Sequence, residues 1–428
     1  MSDGIADGGF PETAAPEIAA NLKKKRFQLQ SRLGRSDRTP LAIWFWELDR
    51  VLLGLIMTLI TIGLIGIAAA SPVTALKQSS STVTIEPLYY FYRQLGWVAV
   101  GVPLMLFVSM APKEQARRFA IVAAVLAFIL LFLVPIMGNT VNGAKRWIGY
   151  GFATLQPGEF LKPFYAVSMA WLLSLRVKDP SLPLVPLSIA ITGVIALLLL
   201  MQPNLGQTIV FCGIWFTLMV VSGLSAKLIA AASVGGIGGL IGSYFFYPVA
   251  TQRINAWLFG GDEFDQVMFA HKALTGGGLL GTGPGLGTAK FKLPEAHTDY
   301  IFSVIGEEFG LLACVAIALV YLAIIVRVFI RLLDEEDNFI ILAVAGLTAQ
   351  FGGQALINIS VNLQLFPSKG MTLPFVSYGG SSFLALSMGV GLLLAFTRRN
   401  PYLDRSEYVA TWSPKGAPDD ASNNEVTR

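Results

Sequence analysis

The sequence predicts an all-α polytopic membrane protein, with ten transmembrane helices and long outer loops. Of its 428 residues, 54% are hydrophobic and only 14% are charged, whereas soluble globular chains carry about a quarter charged residues. The mean hydropathy is +0.62, and ten separate stretches are long and apolar enough to span a bilayer. This composition argues against a disordered chain, a coiled coil and a secreted disulfide scaffold.

Ten apolar segments define a membrane domain, which we predict to extend over residues 46–399. A helix needs about 20 mostly apolar residues to cross the hydrocarbon core. The segments that meet this length are 51–70, 91–110, 118–137, 159–176, 184–201, 206–223, 227–248, 300–326, 338–359 and 378–397. The polar tails on either side, residues 1–45 and 400–428, are predicted to be disordered and cytoplasmic.

Basic residues gather in the short connections between these segments. Lys113, Arg117 and Arg118 share one connection, and Arg327 and Arg331 share another. Because cytoplasmic loops are enriched in Lys and Arg, an even number of helices places both termini in the cytoplasm. The basic part of the N-terminal tail fits the same rule, and its contact with anionic lipid or a cytoplasmic partner stays open as a second interpretation. Its cations are Lys23, Lys24, Lys25, Arg26, Arg32, Arg35 and Arg38.

The opposite side carries three long connections, 71–90, 138–158 and 249–299, and a shorter one at 360–377. Long loops in compact proteins are usually either functional or disordered. These contain aromatic residues, prolines, glycines and isolated charges, so we predict that they are ordered.

The chain has few cysteines and histidines and lacks the common nucleotide-binding motifs, which excludes several kinds of site. The two cysteines, Cys212 and Cys314, lie in apolar runs, and the only histidines are His271 and His297. These residues suit neither a disulfide framework nor a zinc site. There is no Gly-Lys dipeptide, and therefore no Walker A loop. Gly276–Gly281 fits the GxGxxG pattern, but it follows no strand and opens no βαβ unit, so it does not predict a nucleotide site.

Ionisable residues inside the predicted spanning helices indicate function by default, because they are costly in lipid. Glu159 and Lys162 are three residues apart on one helix face and can pair. A self-neutralising ion pair and a substrate-facing role both remain open for them. Glu307 and Glu308 lie near the start of the eighth segment, so at least one of them must face a cavity or a cationic partner.

A polar stripe runs along the ninth segment. Its members are four residues apart and share one helix face: Gln350, Gln354, Asn358 and Asn362. In lipid such a stripe must face other helices. Hydrogen bonding between helices explains the stripe, and lining a polar cavity is the alternative.

The connection 249–299 is the richest in chemistry. It begins with Arg253, and three carboxylates follow within four residues, at Asp262, Glu263 and Asp265. Such carboxylates can supply a general base, and a solvated acidic turn is the alternative. Three glycines further along would let the backbone approach a ligand closely. They are Gly283, Gly285 and Gly287.

Five motifs carry a family resemblance. In one-letter code they are AKRWI at 144–148, QPGEFLK at 156–162, PEAHTD at 294–299, GEEFG at 306–310 and KGMTLPFVSYGGSS at 369–382. With these motifs the chain resembles the SEDS family (shape, elongation, division and sporulation proteins) over about residues 45–400. The lysine and threonine of the last motif and the Pro-Glu-Ala-His run are more similar to the division branch of the family than to its elongation branch.

The resemblance implies a peptidoglycan glycosyltransferase that polymerises lipid II during cell division, in the bacterial cytoplasmic (inner) membrane at the septum. It also implies a catalytic aspartate shortly before a glutamine, which here is Gln266. Asp262 is the predicted general base. Asp265 is its rival, and its place where the family carries an aromatic residue is a departure from the family pattern. Two further departures from the family pattern are Asn204, often Asp, and Gly158, usually Ser.

Substrate roles follow from the resemblance and from the positions of the charges. The residues expected to bind lipid II and hold its pyrophosphate are Lys145, Arg146, Glu159, Lys162, Arg253, Gln266, Glu295, His297, Lys369 and Ser377. The residues expected to line the polar cavity are Glu307, Gln350, Gln354, Asn358 and Asn362. A divalent cation, Mg²⁺ or Mn²⁺, could help to hold the negative charge of the pyrophosphate, although the sequence contains no visible metal-ligand cluster. No organic cofactor is expected.

The implied partners are lipid II, a class B penicillin-binding protein that crosslinks the strands, and other membrane proteins of the divisome. No nucleic acid is expected. Two other classes of function stay open. One is a lipid II flippase or transporter, since ten helices with buried polar groups suit a translocation path. The other is a non-enzymatic scaffold for the division machinery.

Overall fold

The computed structural model describes residues 40–79, 84–141, 144–149, 154–179, 181–260, 262–367 and 370–399. It describes only the course of the backbone for residues 40–43, 141, 177–178 and 262–265. The predicted disordered tails therefore lie outside the described residues, except for residues 40–45. Lys369, predicted to bind substrate, also lies outside them.

The chain divides into two units. The smaller unit comprises Met1–Leu48 and Arg399–Arg428, of which the structure describes helix α1, Pro40–Glu47, together with Leu48 and Arg399. The larger unit, Asp49–Arg398, contains every other described element.

Helices make up most of the larger unit. In chain order they are α2 Arg50–Gln78, α3 Tyr89–Ser109, α4 Lys113–Met137, α5 Pro157–Lys178, α6 Leu184–Met201, α7 Leu205–Val221, α8 Ala226–Phe246, α9 Pro248–Phe259, α10 Asp262–Gly276, α11 Ile301–Leu332, α12 Asn338–Asn362 and α13 Gly380–Phe396. All of these except α9 and α10 coincide with the ten predicted segments, one helix to each.

Length and apolarity distinguish the helices that could span a membrane from the other helices. Among the described residues, seven helices are long and apolar enough to cross a membrane: α2, α3, α4, α6, α8, α11 and α12. Helices α7 and α13 are equally apolar but have 17 residues each. Helix α5 has 22 residues and is more polar because it carries charges such as Glu159 and Lys162. The predicted all-α polytopic membrane fold is confirmed.

Helix α2 continues beyond its predicted end at residue 70 and reaches Gln78. The polar residues of this extension do not end the helix, because their hydroxyl groups are satisfied. Ser71 Oγ donates to Pro87 O at 2.7 Å, and Thr74 Oγ1 donates to Ala70 O at 3.4 Å. Part of the predicted connection 71–90 is therefore helix.

The predicted connection 249–299 is largely helical, which corrects its description as a loop. Helices α9 and α10 occupy most of its first half, and a short 3₁₀ helix follows at Ala289–Lys292. Helix α10 buries Val267, Ala270, Ala273 and Leu274, a spacing that gives one apolar helix face. The segment is too short and polar to resemble a spanning helix, and its glycines suggested a loop.

A hairpin lies in the described part of the connection 138–158. Strands β1, Asn139–Val141, and β2, Ala144–Trp147, pair antiparallel, and an isolated bridge joins Ile148 to Leu155. This hairpin follows α4, the helical pair α9 and α10 follows α8, and the segment 363–379 follows α12. We call the end of the bundle that carries these three connections the loop end.

Small residues bring the helices close together, which is how packing is achieved in lipid. A Cβ at Gly391 of α13 would lie 2.7 Å from Met105 O of α3, and a Cβ at Gly101 of α3 would lie 2.8 Å from Ser387 Oγ of α13. Helices α12 and α13 are largely buried, whereas α8 buries none of its residues.

An ion cluster joins α2 to α11 at the end opposite the loop end. Asp49 is buried and caps α2 by accepting from Val51 N and Leu52 N. Its carboxylate also accepts from Arg327 Nε at 2.9 Å and from Arg331 Nε at 2.8 Å. One aspartate therefore fixes the start of α2 and the end of α11.

Candidate active site

Two segments at the loop end, 293–300 and 370–379, are tied together by hydrogen bonds. Ser377 Oγ donates to Thr298 O at 2.5 Å and accepts from Leu373 N at 2.7 Å. Tyr378 N donates to His297 O at 2.9 Å. The hydroxyl group of Ser377 thus holds the two segments together, and its substrate-binding role stays a prediction.

The polar stripe of α12 supports both segments, and all four of its side chains are buried. Asn358 Nδ2 donates to Met371 O at 2.5 Å and to Asp299 O at 3.0 Å. Asn362 Nδ2 also donates to Asp299 O, at 3.2 Å, and Asn362 Oδ1 accepts from Ser303 Oγ at 2.7 Å. Hydrogen bonding by the stripe is confirmed, and it fixes the backbone of Asp299.

Arg146 lies on strand β2 and is held by the end of α6. Its Nε donates to Gln202 O at 3.0 Å, and its Nη2 donates to Pro203 O. A Cβ at Gly370 would lie 4.0 Å from Arg146 Nη1 and 3.5 Å from Asp299 Oδ2. The two charged groups therefore flank the backbone of Gly370, which has φ 60°, a conformation that favours glycine.

Asp299 is the carboxylate of this group, and its place in the PEAHTD motif marked it as a candidate site residue without a specific role. Burial raises its pKa from the ordinary 3.8 to about 7, and Glu295 acts in the same direction, whereas Arg146 and Arg253 oppose the shift. Both arginines therefore act electrostatically on one carboxyl group that can exchange a proton near neutral pH. The PEAHTD motif was the only sequence signal, because spacing does not reveal that Arg146 of β2 and Arg253 of α9 both act on this carboxyl group.

His297 is buried beside this site. Its ring packs between Tyr90 and Tyr378, with centroid distances of 4.8 and 5.1 Å, and its Nδ1 lies 3.1 Å from Thr74 Oγ1. Burial lowers its pKa to about 4, so the imidazole is neutral at pH 7 and brings no charge to a pyrophosphate. The structure gives His297 a packing role, and its substrate-binding role stays a prediction.

The other predicted ligands differ in exposure. Lys145 is exposed on β2, Gln266 is partly exposed on α10, and Glu295 is exposed. Lys77 is a cation that the sequence analysis missed, because it fell in a predicted loop. At the end of α2 its Nζ donates to Leu293 O at 2.6 Å, beside the PEAHTD motif.

Glu159 and Lys162 form the predicted ion pair, with Oε2 and Nζ 2.8 Å apart. Their exposed fractions are 7% and 1%, so the pair is internal. Gln207 Nε2 of α7 donates to Glu159 Oε1 at 2.6 Å, and Ser382 Oγ of α13 donates to Oε2 at 3.0 Å. The ion-pair interpretation is confirmed, and the substrate-facing role stays a prediction.

A hydrogen-bonded ring contains this pair. Lys162 Nζ donates to Gln354 Oε1 at 2.7 Å, and Gln354 Nε2 donates to Thr372 O at 2.9 Å. Thr372 Oγ1 lies 3.1 Å from Ser382 Oγ, which returns to Glu159. The ring links the membrane-embedded pair to the segment 370–379 of the site. Gln350 is buried one turn before Gln354, and its cavity-lining role stays a prediction.

Glu307 and Glu308 are both buried. Glu308 pairs with Lys290, so one of the two glutamates has a cationic partner, which is one of the two environments that were predicted. Glu307, predicted to line the cavity, instead accepts from Ala289 N at 2.7 Å and from Lys290 N at 2.8 Å. Lys290 itself was missed, because a lysine after a glycine-rich stretch gave no sign of burial.

The three carboxylates of the predicted base lie in the first turn of α10 and not in a loop. Their side chains, those of Asp262, Glu263 and Asp265, lie outside the described residues. The choice between Asp262 and Asp265 therefore stays a prediction. A helix N-terminus favours the ionised form of a carboxylate, as a general base requires.

An apolar groove of about 420 Å³ opens between α4, α5 and α6. Phe128, Leu161 and Ile195 contribute one wall residue from each helix. Val125 and Val194, also in the lining, are 55% and 46% exposed, so the groove is open to the lipid-facing surface. Leu161 precedes Lys162 on α5, so the groove begins next to the buried ring.

Metal-binding clusters are absent from the residues that the structure describes, since no three His, Cys, Asp or Glu side chains there could hold an ion together. The side chains of Asp262, Glu263 and Asp265 are not among these residues, and the divalent cation was expected to help hold the charge of the pyrophosphate. That cation stays a prediction, and no chemical step below uses it.

The helices and the polar site at the loop end define a polytopic membrane protein with a charged site at one membrane face. The sequence pattern of the family described as "Cell cycle protein", which takes in FtsW, RodA and SpoVE, matches residues 49–402. The chain therefore belongs to this family, the SEDS proteins, as its motifs indicated.

Curated relatives resemble the chain over most of its length. A probable peptidoglycan glycosyltransferase FtsW from Caulobacter vibrioides is 35% identical over 370 residues, covering 86% of this chain and 93% of the relative. A probable peptidoglycan glycosyltransferase FtsW from Tolumonas auensis is 32% identical over 390 residues, covering 86% and 98%. The similarity to the division branch is confirmed.

Solved structures share the fold. A chain from "Structural coordination of polymerization and crosslinking by a peptidoglycan synthase complex" is 25% identical with a TM-score of 0.66, covering 84% of this chain and 99% of that chain. The crystal structure of the Thermus thermophilus rod shape determining protein RodA is 24% identical with a TM-score of 0.58, covering 82% and 96%. The second likeness concerns the fold alone.

Proposed function

We propose that this protein is a peptidoglycan glycosyltransferase that polymerises lipid II into glycan strands during cell division. The names of its curated relatives support the reaction class. The observation that carries the proposal is the group formed by Arg146, Arg253 and Asp299 at the loop end. It combines two cations with a proton-exchanging carboxyl group, in the same part of the bundle as the acidic first turn of α10.

In the proposed reaction, the 4-hydroxyl oxygen of the acceptor sugar bonds to C1 of the donor sugar. The bond from C1 to the pyrophosphate oxygen breaks, and C1 is inverted. The hydroxyl proton passes to a carboxylate, for which Asp262 is our candidate and Asp265 its rival. The electron pair of the broken bond leaves with undecaprenyl pyrophosphate.

The leaving group is already a good one, so the site mainly has to hold its negative charge. Arg146 suits this task because two backbone carbonyls orient its guanidinium group, and a guanidinium can bind phosphate oxygens in pairs. Arg253 is the second cation that acts on Asp299. Lys145 and Lys77 would add positive charge at the loop end, and Lys369 stays a predicted ligand.

The lipid tail of the substrate needs an apolar path beside the polar site. The groove between α4, α5 and α6 offers one, since it is open to lipid and begins next to the buried ring. We propose that it receives part of the undecaprenyl chain while the pyrophosphate lies at the loop end.

The proposal includes an orientation and a partner. Both termini would lie in the cytoplasm and the loop end would face the outside, because the connections opposite the loop end collect Lys and Arg. A class B penicillin-binding protein would bind alongside and crosslink the strands, with other divisome proteins at the septum. The similarity to a chain from a peptidoglycan synthase complex supports this partner.

The test is polymer formation from lipid II by the full chain, purified and reconstituted with and without the transpeptidase partner. Asp262→Ala is expected to abolish polymer, and Asp265→Ala is the matched control three residues further along α10. Polymer from Asp262→Ala but not from Asp265→Ala would move the base to Asp265. Exposure of lipid II headgroups without any polymer would favour a flippase. Division supported by a chain that makes no polymer would favour a scaffold.

A further inference from the structure

Helix α11 is interrupted at Gly310, where the backbone has φ 81° and ψ 179°. In an unbroken α-helix Leu311 N would donate to Glu307 O, and Leu312 N would donate to Glu308 O. Both bonds are lost at the interruption. A break of this kind inside lipid would leave two carbonyl and two amide groups without hydrogen bonds, which is costly because no water is present to replace them.

Another part of the chain fills the break. The two freed carbonyl groups of α11 accept from Thr282 N at 2.9 Å and from Gly283 N at 3.1 Å. The two freed amides donate to Gly278 O at 2.9 Å and to Leu279 O at 3.3 Å. Residues 278–283 therefore replace the missing hydrogen bonds on both sides, and we call this insertion the splice.

Glycines make the splice possible because backbone lies directly against backbone. A Cβ at Gly310 would overlap Gly281 N, and a Cβ at Gly281 would overlap Glu308 O. Gly287, which the sequence suggested would admit a ligand, admits the carboxyl group of Glu307 instead, since a Cβ there would lie 2.8 Å from its Cδ. Gly281 and Gly287 thus allow close packing against α11.

Three buried charged residues hold the segment after the splice against the first part of α11. Glu307 uses both carboxylate oxygens to accept from Ala289 N and Lys290 N. Glu308 pairs with Lys290, whose Nζ also donates to Ala69 O of α2 at 3.1 Å. The exposed fractions of Glu307, Glu308 and Lys290 are 3%, 1% and 2%. Removing one charge would leave its partner buried and uncompensated.

We propose that Glu307, Glu308 and Lys290 are positioning residues for the glycosyl transfer. Helix α10 ends at Gly276, two residues before the splice, so locking the splice fixes the end of α10. The acidic first turn with Asp262 lies at the other end of this helix of 15 residues, about 20 Å away at 1.5 Å per residue. A tilt of a few degrees at the splice would move the base by about 1 Å, which is enough to slow a positioned reaction about a hundredfold. This inference rests on the proposed function.

The test uses Glu308→Gln in the full chain, reconstituted with its partner, with lipid II as substrate. We expect kcat to fall by about tenfold or more while KM stays within about twofold, because binding groups remain but the base is misplaced. Amide hydrogen exchange in residues 266–276 should accelerate by about tenfold. Arg327→Met is the matched control: it removes a cation of the buried Asp49 cluster at the opposite end of α11. It should lower the unfolding temperature but leave kcat and the exchange of α10 within about twofold of wild type.

If Glu308→Gln does not fold, a second variant still tests the inference. In Lys290→Glu with Glu308→Lys the charges are exchanged, and kcat should recover relative to Lys290→Glu alone. Wild-type kcat in a variant whose α10 exchanges faster would overturn the inference, as would a fall in kcat with unchanged exchange. A wild-type chain that makes no polymer would overturn the proposed function instead, and the exchange of α10 would still report whether the splice holds that helix.

Discussion

The carboxylate of Glu159 and the ammonium group of Lys162 lie 2.8 Å apart on one face of α5, and both side chains are buried. A buried ion pair offsets its desolvation only when the remaining hydrogen-bonding sites are also used. Gln207 and Ser382 donate to the carboxylate, and Gln354 accepts from the ammonium group. The pair is therefore part of a network that joins α5, α7, α12 and α13 under the site.

Removing one member of this pair should destabilise the protein strongly. Lys162→Met leaves the Glu159 carboxylate buried without its cation, so the free energy of unfolding should fall by about 3–5 kcal/mol. Denaturant unfolding of the purified protein, followed by far-UV circular dichroism, measures this. The double variant Glu159→Gln with Lys162→Met should recover most of the loss. Lys145→Met, at an exposed lysine, is the control, and equal stability of the two single variants would contradict the prediction.

The raised pKa of Asp299 predicts a pH dependence of stability. Burial raises this pKa from 3.8 to about 7, so between these values the folded protein holds a proton that the unfolded chain has released. The free energy of unfolding should therefore fall as pH rises through this window and level off above it. Asp299→Asn should flatten the change in unfolding temperature measured between pH 5 and pH 8.

Asp179→Asn is the control for this measurement. Hydrogen bonds from Ser181 lower the pKa of the exposed Asp179 below 3.8, so it does not titrate in the window and its variant should keep the wild-type slope. If wild type and Asp299→Asn lose stability equally between pH 5 and pH 8, the titration of Asp299 does not contribute.

The spanning helices could be predicted from sequence because a bilayer demands runs of about 20 apolar residues. Partnerships within one helix were also predictable: Glu159 and Lys162 are one turn apart, and so are the members of the stripe from Gln350 to Asn362. The sequence also required that at least one of Glu307 and Glu308 face a cavity or a cationic partner. In each case a local rule, either helical spacing or the cost of charge in lipid, was sufficient.

Contacts between distant segments were not predictable. Lys290 and Glu308 are joined only because a glycine loop enters a broken helix, and neither the break at Gly310 nor the insertion has a periodic signal. Arg146 acts on Asp299 because the hairpin that carries Arg146 is held at the end of α6, which spacing along the chain does not encode. His297 resembled a charged ligand, but its burial between Tyr90 and Tyr378 makes it neutral.

Gly158, which stands where SEDS relatives usually carry serine, predicts a difference between two substitutions. A Cβ at this position would overlap Gln207 Oε1, which has no hydrogen-bond partner among the described residues. In Gly158→Ser the flexible Gln207 side chain must shift, but the new hydroxyl group can donate to that oxygen. We expect a loss of less than about 1 kcal/mol for serine and about 1–3 kcal/mol for Gly158→Val, which offers no donor. Denaturant unfolding of both variants decides, and an equal loss would contradict the role given to the hydroxyl group.

The groove between α4, α5 and α6 predicts a dependence on the length of the substrate's lipid tail. Val125 lines the groove, whereas Val122 on the same helix does not, and their exposed fractions are similar at 55% and 59%. Val125→Trp should fill the groove and raise KM for lipid II with a full undecaprenyl chain by about tenfold, equivalent to about 1.4 kcal/mol of lost apolar contact. KM for an analogue with a tail too short to enter the groove should change by less than about twofold. Val122→Trp adds the same ring to the lipid-facing surface and should leave both KM values near wild type. Steady-state polymerisation by the reconstituted chain measures all four values, and an equal effect of both tryptophans would place the tail elsewhere.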